Sequence, residues 1–173
     1  MRTYASSGDA SGLRFAVVVA RFNQPVSVRL LEACTDELVK RGADPDEVDV
    51  AWVPGAFEVP LAARALAGSG RYDAIVALGA VIRGGTPHFD YVCRGVTDGV
   101  QAVMRDTEVP VAFGVLTTDD VEQALARAGG DEGNKGEEAA RVAIEMAHLI
   151  VELDKRPGGR SAGRRRARAK GRS

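Results

Sequence analysis

The sequence is poor in the residue types that build disulfide frameworks and metal centres. Its 173 residues include two cysteines, two histidines and 5% aromatic side chains. Cys34 and Cys93 form neither a C-x-x-C pair nor a dense framework, so we expect reduced, structural thiols. Histidine and cysteine do not recur with the spacing of a zinc site. A disulfide-stabilised secreted module and a zinc centre are therefore excluded.

Long hydrophobic segments are also missing. The longest apolar run, residues 74–82 with Gly79 included, has nine residues, about half of the ~20 that a membrane-spanning helix needs. The opening stretch MRTYASSGDASG has no apolar core of a secretory signal. These absences predict a cytoplasmic protein that does not enter the membrane.

Two nucleotide-binding motifs are absent as well. Neither G-x-x-x-x-G-K-[ST] nor G-x-G-x-x-G occurs, which excludes a Walker phosphate loop and a dinucleotide fingerprint. The stretch GGDEGNKGE at 129–137 superficially resembles a phosphate loop. No strand pattern precedes it, however, and no Ser or Thr follows its lysine.

Negative charge is missing from the C-terminal end. Residues 156–173 contain eight basic side chains and no acidic one, whereas the whole chain has a formal net charge of −1. The remaining residues are therefore acidic overall. We predict an N-terminal arm at 1–12, one domain at 13–155 and a basic disordered tail at 156–173. The tail either contacts nucleic acid or another polyanion, or serves only as a solubilising extension.

Apolar β-branched runs alternate with helical patterns along the domain. Strands are predicted at 13–20, 48–53, 73–82 and 109–116, and helices at about 28–42, 58–68, 87–106, 118–129 and 136–154. Thr118 is the candidate N-cap of the fourth helix. Continuously apolar strands are typical of a parallel sheet that is buried on both faces. The alternation predicts right-handed crossovers, and hence a flavodoxin-like α/β fold: a three-layer doubly wound sandwich with a four-stranded parallel sheet.

The last predicted helix is too apolar for an ordinary surface helix. Its polar residues form a single stripe of Glu138, Arg141, Glu145, His148 and Glu152. A surface helix shows a narrower apolar face than this. We expect the helix to pack against a second copy of the chain, with deep burial inside its own domain as the alternative.

In open α/β sheets, ligands bind beyond the carboxyl ends of the strands, and the turn RGGTPH follows the third predicted strand. Thr86 suits an N-cap and Pro87 the first helical position. Gly84 and Gly85 expose backbone amides, which together with a helix N-terminus favour a phosphate. The same dipole disfavours a charged imidazole at His88, which could then accept a proton. The alternative is a tight turn with an exposed histidine.

Aromatic residues stand just beyond two other strands. Phe22 and Phe57 could form a stacking wall for a planar ring, or could merely cap the edge of the core. Glu58 could accept hydrogen bonds from a polyol, or could balance the dipole of the helix that begins there.

Five segments, taken in order, resemble one family. RFN, WVPGAFEVP, ALGAVIRGGTPHFDYV, FGVLTTDDVEQALARAG and GNKGEEAA are similar in sequence and spacing to 6,7-dimethyl-8-ribityllumazine synthases, over about residues 12–154. The resemblance implies a transferase of riboflavin biosynthesis. It would condense 5-amino-6-(D-ribitylamino)uracil with (3S)-3,4-dihydroxy-2-butanone 4-phosphate, without a metal or organic cofactor, and release phosphate and water.

The resemblance also implies a role for each matching position. His88 would transfer protons, and Phe113, Arg127 and Lys135 would come from a neighbouring subunit. The butanone phosphate would be bound by Gly85, Thr86 and Arg127. The pyrimidinedione would be held by Phe22, Ala56, Phe57, Glu58, Ala80, Val81, Ile82, Phe113 and Lys135. Position 80 is alanine where several members have threonine, and its implied contact is through the main chain.

The family assembles as pentamers or as sixty-subunit icosahedral shells of twelve pentamers. The link AGGDEGNKGE is short and lacks the insertion that some pentamer-only members show, so the resemblance favours the shell. Two other functions remain open at this stage: a non-enzymatic flavin or lumazine binder, and a shell that packages nucleic acid through its basic tail. A phosphoacceptor signalling domain is disfavoured, because no acidic pair follows the first strand and no aspartate ends the third.

Overall fold

The computed structural model describes Met1 and residues 3–154; the predicted basic tail at 156–173 lies outside the described residues. Four parallel strands form the sheet in the order β2-β1-β3-β4. They are β1 (Phe15–Ala20), β2 (Val48–Val53), β3 (Ala74–Ile82) and β4 (Val111–Thr118). The helices are α1 (Gln24–Lys40), α2 (Val59–Gly68), α3 (His88–Thr107), α4 (Val121–Ala126) and α5 (Lys135–Asp154). The predicted three-layer flavodoxin-like α/β fold is confirmed.

Successive residues of the central strands point into two separate cores. Phe15, Val17 and Val19 of β1 pack with α1, α4 and α5 on one face of the sheet. Ala16 and Val18 pack with α2 and α3 on the other. Because both faces are covered, β1 is buried along its whole length, which explains its unbroken apolar sequence.

Two predicted helix N-caps are wrong. Thr86 is not an N-cap: Pro87 takes that position and α3 begins at His88. Thr118 does not cap α4, because it ends β4 and its hydroxyl donates to the carbonyl oxygen of Asp120 at 2.9 Å. Asp120 is the cap, since its carboxylate accepts from the Gln123 backbone N–H at 2.7 Å.

The link between α4 and α5 also differs from the prediction. α4 ends at Ala126 rather than near Gly129. A two-stranded antiparallel hairpin follows, made of β5 (Ala128–Gly130) and β6 (Gly133–Asn134). Gly133 has φ of +77°, a backbone region that favours glycine at such a turn.

The first turn of α5 packs tightly against α1. A Cβ added at Gly136 would overlap the backbone of Leu30. Two turns further along α1 lies Glu37, whose Oε1 accepts from Nε of Arg41 at 2.6 Å and from Nε of Arg141 in α5 at 2.8 Å. Burial alone would raise the pKa of Glu37, but these hydrogen bonds outweigh it and lower the pKa to about 2.

Part of the apolar surface of α5 has no cover within the chain. Ala139, Ala143 and Ala147 are buried against the sheet and α1, whereas Val142 is 48% exposed and Val151 is also exposed. Packing of this helix against a second copy stays a prediction. Within the described residues, none of the helices combines the length and apolarity needed to cross a membrane.

Candidate active site

A cavity of about 710 Å³ opens beyond the carboxyl ends of β1, β2 and β3. Parallel strands end at the same edge of a sheet, so the segments that follow them meet there. The cavity is lined by Phe22, Asn23, Pro54, Gly55, Ala56, Phe57, Glu58, Ala80, Val81, Ile82, Gly84, Thr86, His88, Phe89, Tyr91 and Val92. Its size suits a small organic molecule.

The segment after β1 is held rigidly by two neighbouring strands. The backbone N–H groups of Arg21 and Phe22 donate to the carbonyl oxygens of Val53 and Pro54, at 2.9 and 3.0 Å. Asn23 then turns the chain into α1 with left-handed dihedrals of φ 61° and ψ 42°. Its side-chain Nδ2 donates to the Ala80 carbonyl oxygen at 2.8 Å. The Phe22 ring, 71% exposed, is thereby presented at the cavity mouth.

The segment after β2 forms a single 3₁₀ turn, Ala56–Glu58. Ala56 is buried beneath the turn, whereas the Phe57 ring is 60% exposed. That ring lies directly on α3, since a Cβ added at Gly95 would overlap it. The carboxylate of Glu58 lies above Gly55 and faces the cavity. The turn therefore offers one aromatic face and one hydrogen-bond acceptor.

The segment after β3 offers backbone amides. A Cβ added at Gly84 or Gly85 would meet nothing within 4 Å, so one side of this turn is open. No side chain of the described residues caps α3, which leaves N–H groups of its first turn available. His88 is the first residue of the helix and lines the cavity with its side chain exposed. This arrangement suits an anion next to a group that can transfer protons.

The cavity brings nine of the predicted residues together in one chain: Phe22, Ala56, Phe57, Glu58, Ala80, Val81, Ile82, Thr86 and His88. Gly85 lies between two lining residues of the same turn. Phe113, Arg127 and Lys135 do not line the cavity of their own chain. Phe113 is half-exposed on edge strand β4, Arg127 donates to the Gln123 carbonyl oxygen at 3.1 Å, and Lys135 pairs with Glu138 at 2.6 Å.

Several residues at the cavity have roles that the sequence motifs do not reveal. Asn23 ends the RFN segment, and asparagine is one of the few side chains that tolerate left-handed dihedrals. Phe89, Tyr91 and Val92 follow His88 near the start of α3 and line the cavity. In the sequence, the sign of their role is a run of large side chains soon after the glycine turn.

Few of the residues near the cavity could act as metal ligands. In the part of the chain that the structure describes, no group of three or more His, Cys, Asp or Glu side chains is arranged to hold a metal ion. Among the lining residues, Glu58 provides the one carboxylate and His88 the one imidazole.

Comparison with known proteins agrees with this geometry. Residues 12–151 match the family model described as 6,7-dimethyl-8-ribityllumazine synthase. Two relatives, from two strains of Clostridium kluyveri, carry the same name. Each is 51% identical over 154 residues, covering 89% of this chain and 100% of the relative. On this evidence, joined to a cavity of matching chemistry, the chain belongs to the 6,7-dimethyl-8-ribityllumazine synthase family.

Proposed function

We propose that this cavity is the active site, with the uracil substrate between Phe22 and the Ala56–Glu58 turn and the phosphate of the second substrate at the start of α3. The chain catalyses the lumazine synthase reaction of riboflavin biosynthesis. The observation that carries the assignment of the site is the uncapped N-terminus of α3, which opens with His88 into a cavity bordered by exposed aromatic rings.

The pyrimidinedione is a planar ring that can stack on an aromatic side chain, and its ribityl chain carries several hydroxyls that can form hydrogen bonds. Phe22 provides a ring at the cavity mouth for stacking. The Glu58 carboxylate can accept hydrogen bonds from ribityl hydroxyls. Backbone groups at the end of β3 supply donors and acceptors for the ring edge, so the alanine at position 80 serves as well as a threonine. Asn23 fixes the direction of the Ala80 carbonyl by binding it.

The butanone phosphate brings a dianion and a ketone. The amides around Gly85 and Thr86 and the positive end of the α3 dipole favour the dianion. The substrate amine attacks the ketone and an imine forms with loss of water. Phosphate then leaves by elimination, and ring closure with loss of a second water completes the lumazine. Protons move in each step, and His88 is the cavity group placed to relay them. Holding two substrates in register contributes much of the acceleration.

We assign Phe113, Arg127 and Lys135 to the cavity of a neighbouring subunit. None of them reaches the cavity of its own chain among the residues described. The cavity mouth also carries large exposed rings, with Phe22 at 71% and Tyr91 at 72%, and such apolar surface is typical of an interface. An arginine from the neighbour would form a charge-assisted pair with the phosphate.

The proposed assembly is a pentamer, and twelve pentamers form a sixty-subunit shell. The exposed Val142 and Val151 on α5 provide apolar surface for contacts between subunits. The connection between α4 and α5 consists of Arg127 and the β5–β6 hairpin, with no further insertion. This short connection favours the closed shell over a free pentamer.

Arg127→Ala tests the phosphate assignment. We expect KM for the butanone phosphate to rise about 10- to 100-fold, because a charge-assisted hydrogen bond is lost, while KM for the pyrimidine changes little. Steady-state kinetics with each substrate varied measures both. Arg105→Ala, an exposed arginine near the far end of α3, is the control. An unchanged KM for the phosphate substrate would refute the assignment.

Co-expression of His88→Ala and Arg127→Ala chains tests whether subunits share the site. If Arg127 serves a neighbour, roughly a quarter of the sites in randomly mixed rings contain both native residues. The mixture should then be more active than the average of the two separate variants. Activity equal to that average would show that both residues act within one chain.

A further inference from the structure

Arg83 is the first residue after β3 and stands directly before the glycine turn, yet its side chain does not line the cavity. Its backbone N–H donates to the Thr118 carbonyl oxygen at 2.9 Å, which continues the pairing of β3 with β4 by one residue. The chain leaves the sheet immediately afterwards. Arg83 is therefore the last point at which the turn is anchored to the sheet.

The side chain of Arg83 joins the elements on either side of the turn. Its Nε donates to Oδ1 of Asp119, just beyond β4, at 2.8 Å. Its Nη1 donates to Oδ1 of Asp90, in the first turn of α3, at 3.3 Å. The guanidinium also lies over the ring of Phe89, 4.1 Å from its centre, and Phe89 lines the cavity. One planar cation thus makes three contacts in three directions.

The segment enclosed by these contacts needs such an anchor. Gly84 and Gly85 have no side chains with which to hold the turn, and glycine loses more conformational freedom on ordering than any other residue. Added Cβ atoms at both positions would meet nothing, so packing does not fix the turn either. A ligand that binds its amides must bear the cost of ordering them unless the protein has already done so.

The charge of Asp90 is a second reason for an arginine at position 83. Asp90 lies within the first turn of the helix whose N-terminus is to receive a phosphate. A free carboxylate there would repel a dianion. Arg83 binds this carboxylate and also Asp119, so its own charge is already matched and it is not a spare cation for the substrate.

We propose that Arg83 is a positioning residue for phosphate: by bridging Asp119 and Asp90 and stacking on Phe89, it holds the Gly84–Thr86 turn in the conformation that binds the dianion. The proposal rests on the assignment of that turn to phosphate. It concerns the affinity of the phosphate subsite rather than the chemical step, since Arg83 touches neither cavity nor substrate.

Kinetics of Arg83→Met test the proposal. We expect KM for the butanone phosphate to rise about 5- to 10-fold, with kcat and KM for the pyrimidine within about twofold of wild type. The inhibition constant of inorganic phosphate should rise by a similar factor. Asp119→Asn removes one arm of the bridge and should give a smaller change in the same direction, which keeps the test available if Arg83→Met does not assemble.

Arg83→Lys separates charge from geometry. Lysine keeps the positive charge but has no planar fork to bridge two carboxylates and stack on a ring, so the defect should persist in large part. Arg94→Met is the matched control, because Arg94 lies on α3, the helix that Arg83 contacts through Asp90, and pairs with Asp98 at an exposed site. That variant should behave as wild type.

Arg127→Ala distinguishes failure of this proposal from failure of the site assignment. If Arg127→Ala weakens phosphate binding while Arg83→Met and Asp119→Asn do not, the positioning role is wrong and the phosphate site stands. If none of the three variants affects phosphate, the site lies elsewhere. Equal increases in both KM values, or full rescue by lysine, would also overturn the proposal.

Discussion

At the scale of single residues, the site depends on groups whose positions are set by the backbone. His88 faces the cavity because α3 starts at that residue, and it starts there because Pro87 ends the preceding turn. The imidazole therefore needs no side-chain partner to reach the cavity. Because His88 is exposed, we expect it to contribute to the chemistry and not to the fold.

His88→Ala should lower kcat about 10-fold or more, because proton transfers would fall to water. The structure should be preserved, since the side chain is exposed and helix formation favours alanine. Stopped-flow detection of the lumazine chromophore measures the rate, and the mass of the assembly is the control. A variant that keeps wild-type turnover would remove His88 from the mechanism.

From sequence, a candidate site residue can be selected when its side-chain chemistry suits a ligand group. A residue whose role is to set the backbone conformation is overlooked. Phe22, Glu58 and His88 were chosen because each suits a ligand group, and all three line the cavity. Asn23 was given no role, because its value lies in a left-handed backbone and one hydrogen bond to Ala80. Neither property can be read from the letter alone.

At the scale of elements, α1 and α5 are joined by a buried ionic contact. Glu37 is 3% exposed and binds both Arg41 and Arg141. Removing one partner from such a contact leaves a buried charge uncompensated, which is costly. The contact thus fixes how the first helix and the last lie against one another.

This contact predicts a pH dependence of stability. The carboxyl group of Glu37 titrates near 4.5 in the unfolded chain and near 2 when folded. Its contribution is therefore fully present above pH 4.5 and is lost as the pH falls from there towards 2. The difference in Tm between wild type and Glu37→Gln should be large at pH 7 and should shrink steadily below pH 4.5.

Thermal unfolding across this pH range measures the effect. Glu32→Gln, at an exposed position on the same helix, is the matched control and should differ little from wild type at any pH. A difference between wild type and Glu37→Gln that is as large at pH 3 as at pH 7 would contradict the assignment of the low pKa to this contact.

The sequence predicted the four strands and the main helices, because a doubly buried strand and an amphipathic helix leave different patterns of apolar residues. The errors fall at element ends. Thr118 and Asp120 both suit an N-cap, and the choice was decided by Gln123, which lies three residues after Asp120 and donates to it. The β5–β6 hairpin was missed because its four glycine and asparagine residues also suit a loop.

At the scale of the whole molecule, the proposed site needs residues from more than one chain. The predicted residues divide into a group that lines the cavity and a group of three that does not: Phe113, Arg127 and Lys135. The family resemblance already assigned these three to a neighbouring subunit, and in the fold they lie away from the cavity of their own chain. Which residues cross to a neighbour cannot be read from spacing, because it depends on the symmetry of the assembly.

The mass of the purified particle tests the assembly. We expect light scattering to give a mass near sixty chains of 18.2 kDa, because the short connection between α4 and α5 favours the closed shell. A mass near five chains would replace the shell by a free pentamer and leave the shared site intact. A mass of one chain with full activity would overturn both.

The exposed rings of Phe22, Phe57 and Tyr91 have a consequence for the life of the chain before it finds its partners. A newly made chain exposes these apolar rings to water, beside a cavity that the proposed assembly has not yet completed. The exposed rings of two such chains attract each other in correct and in incorrect pairings alike. In the proposed assembly, the encounter that covers these rings also completes the active site, so synthesis of many copies close together should protect each chain.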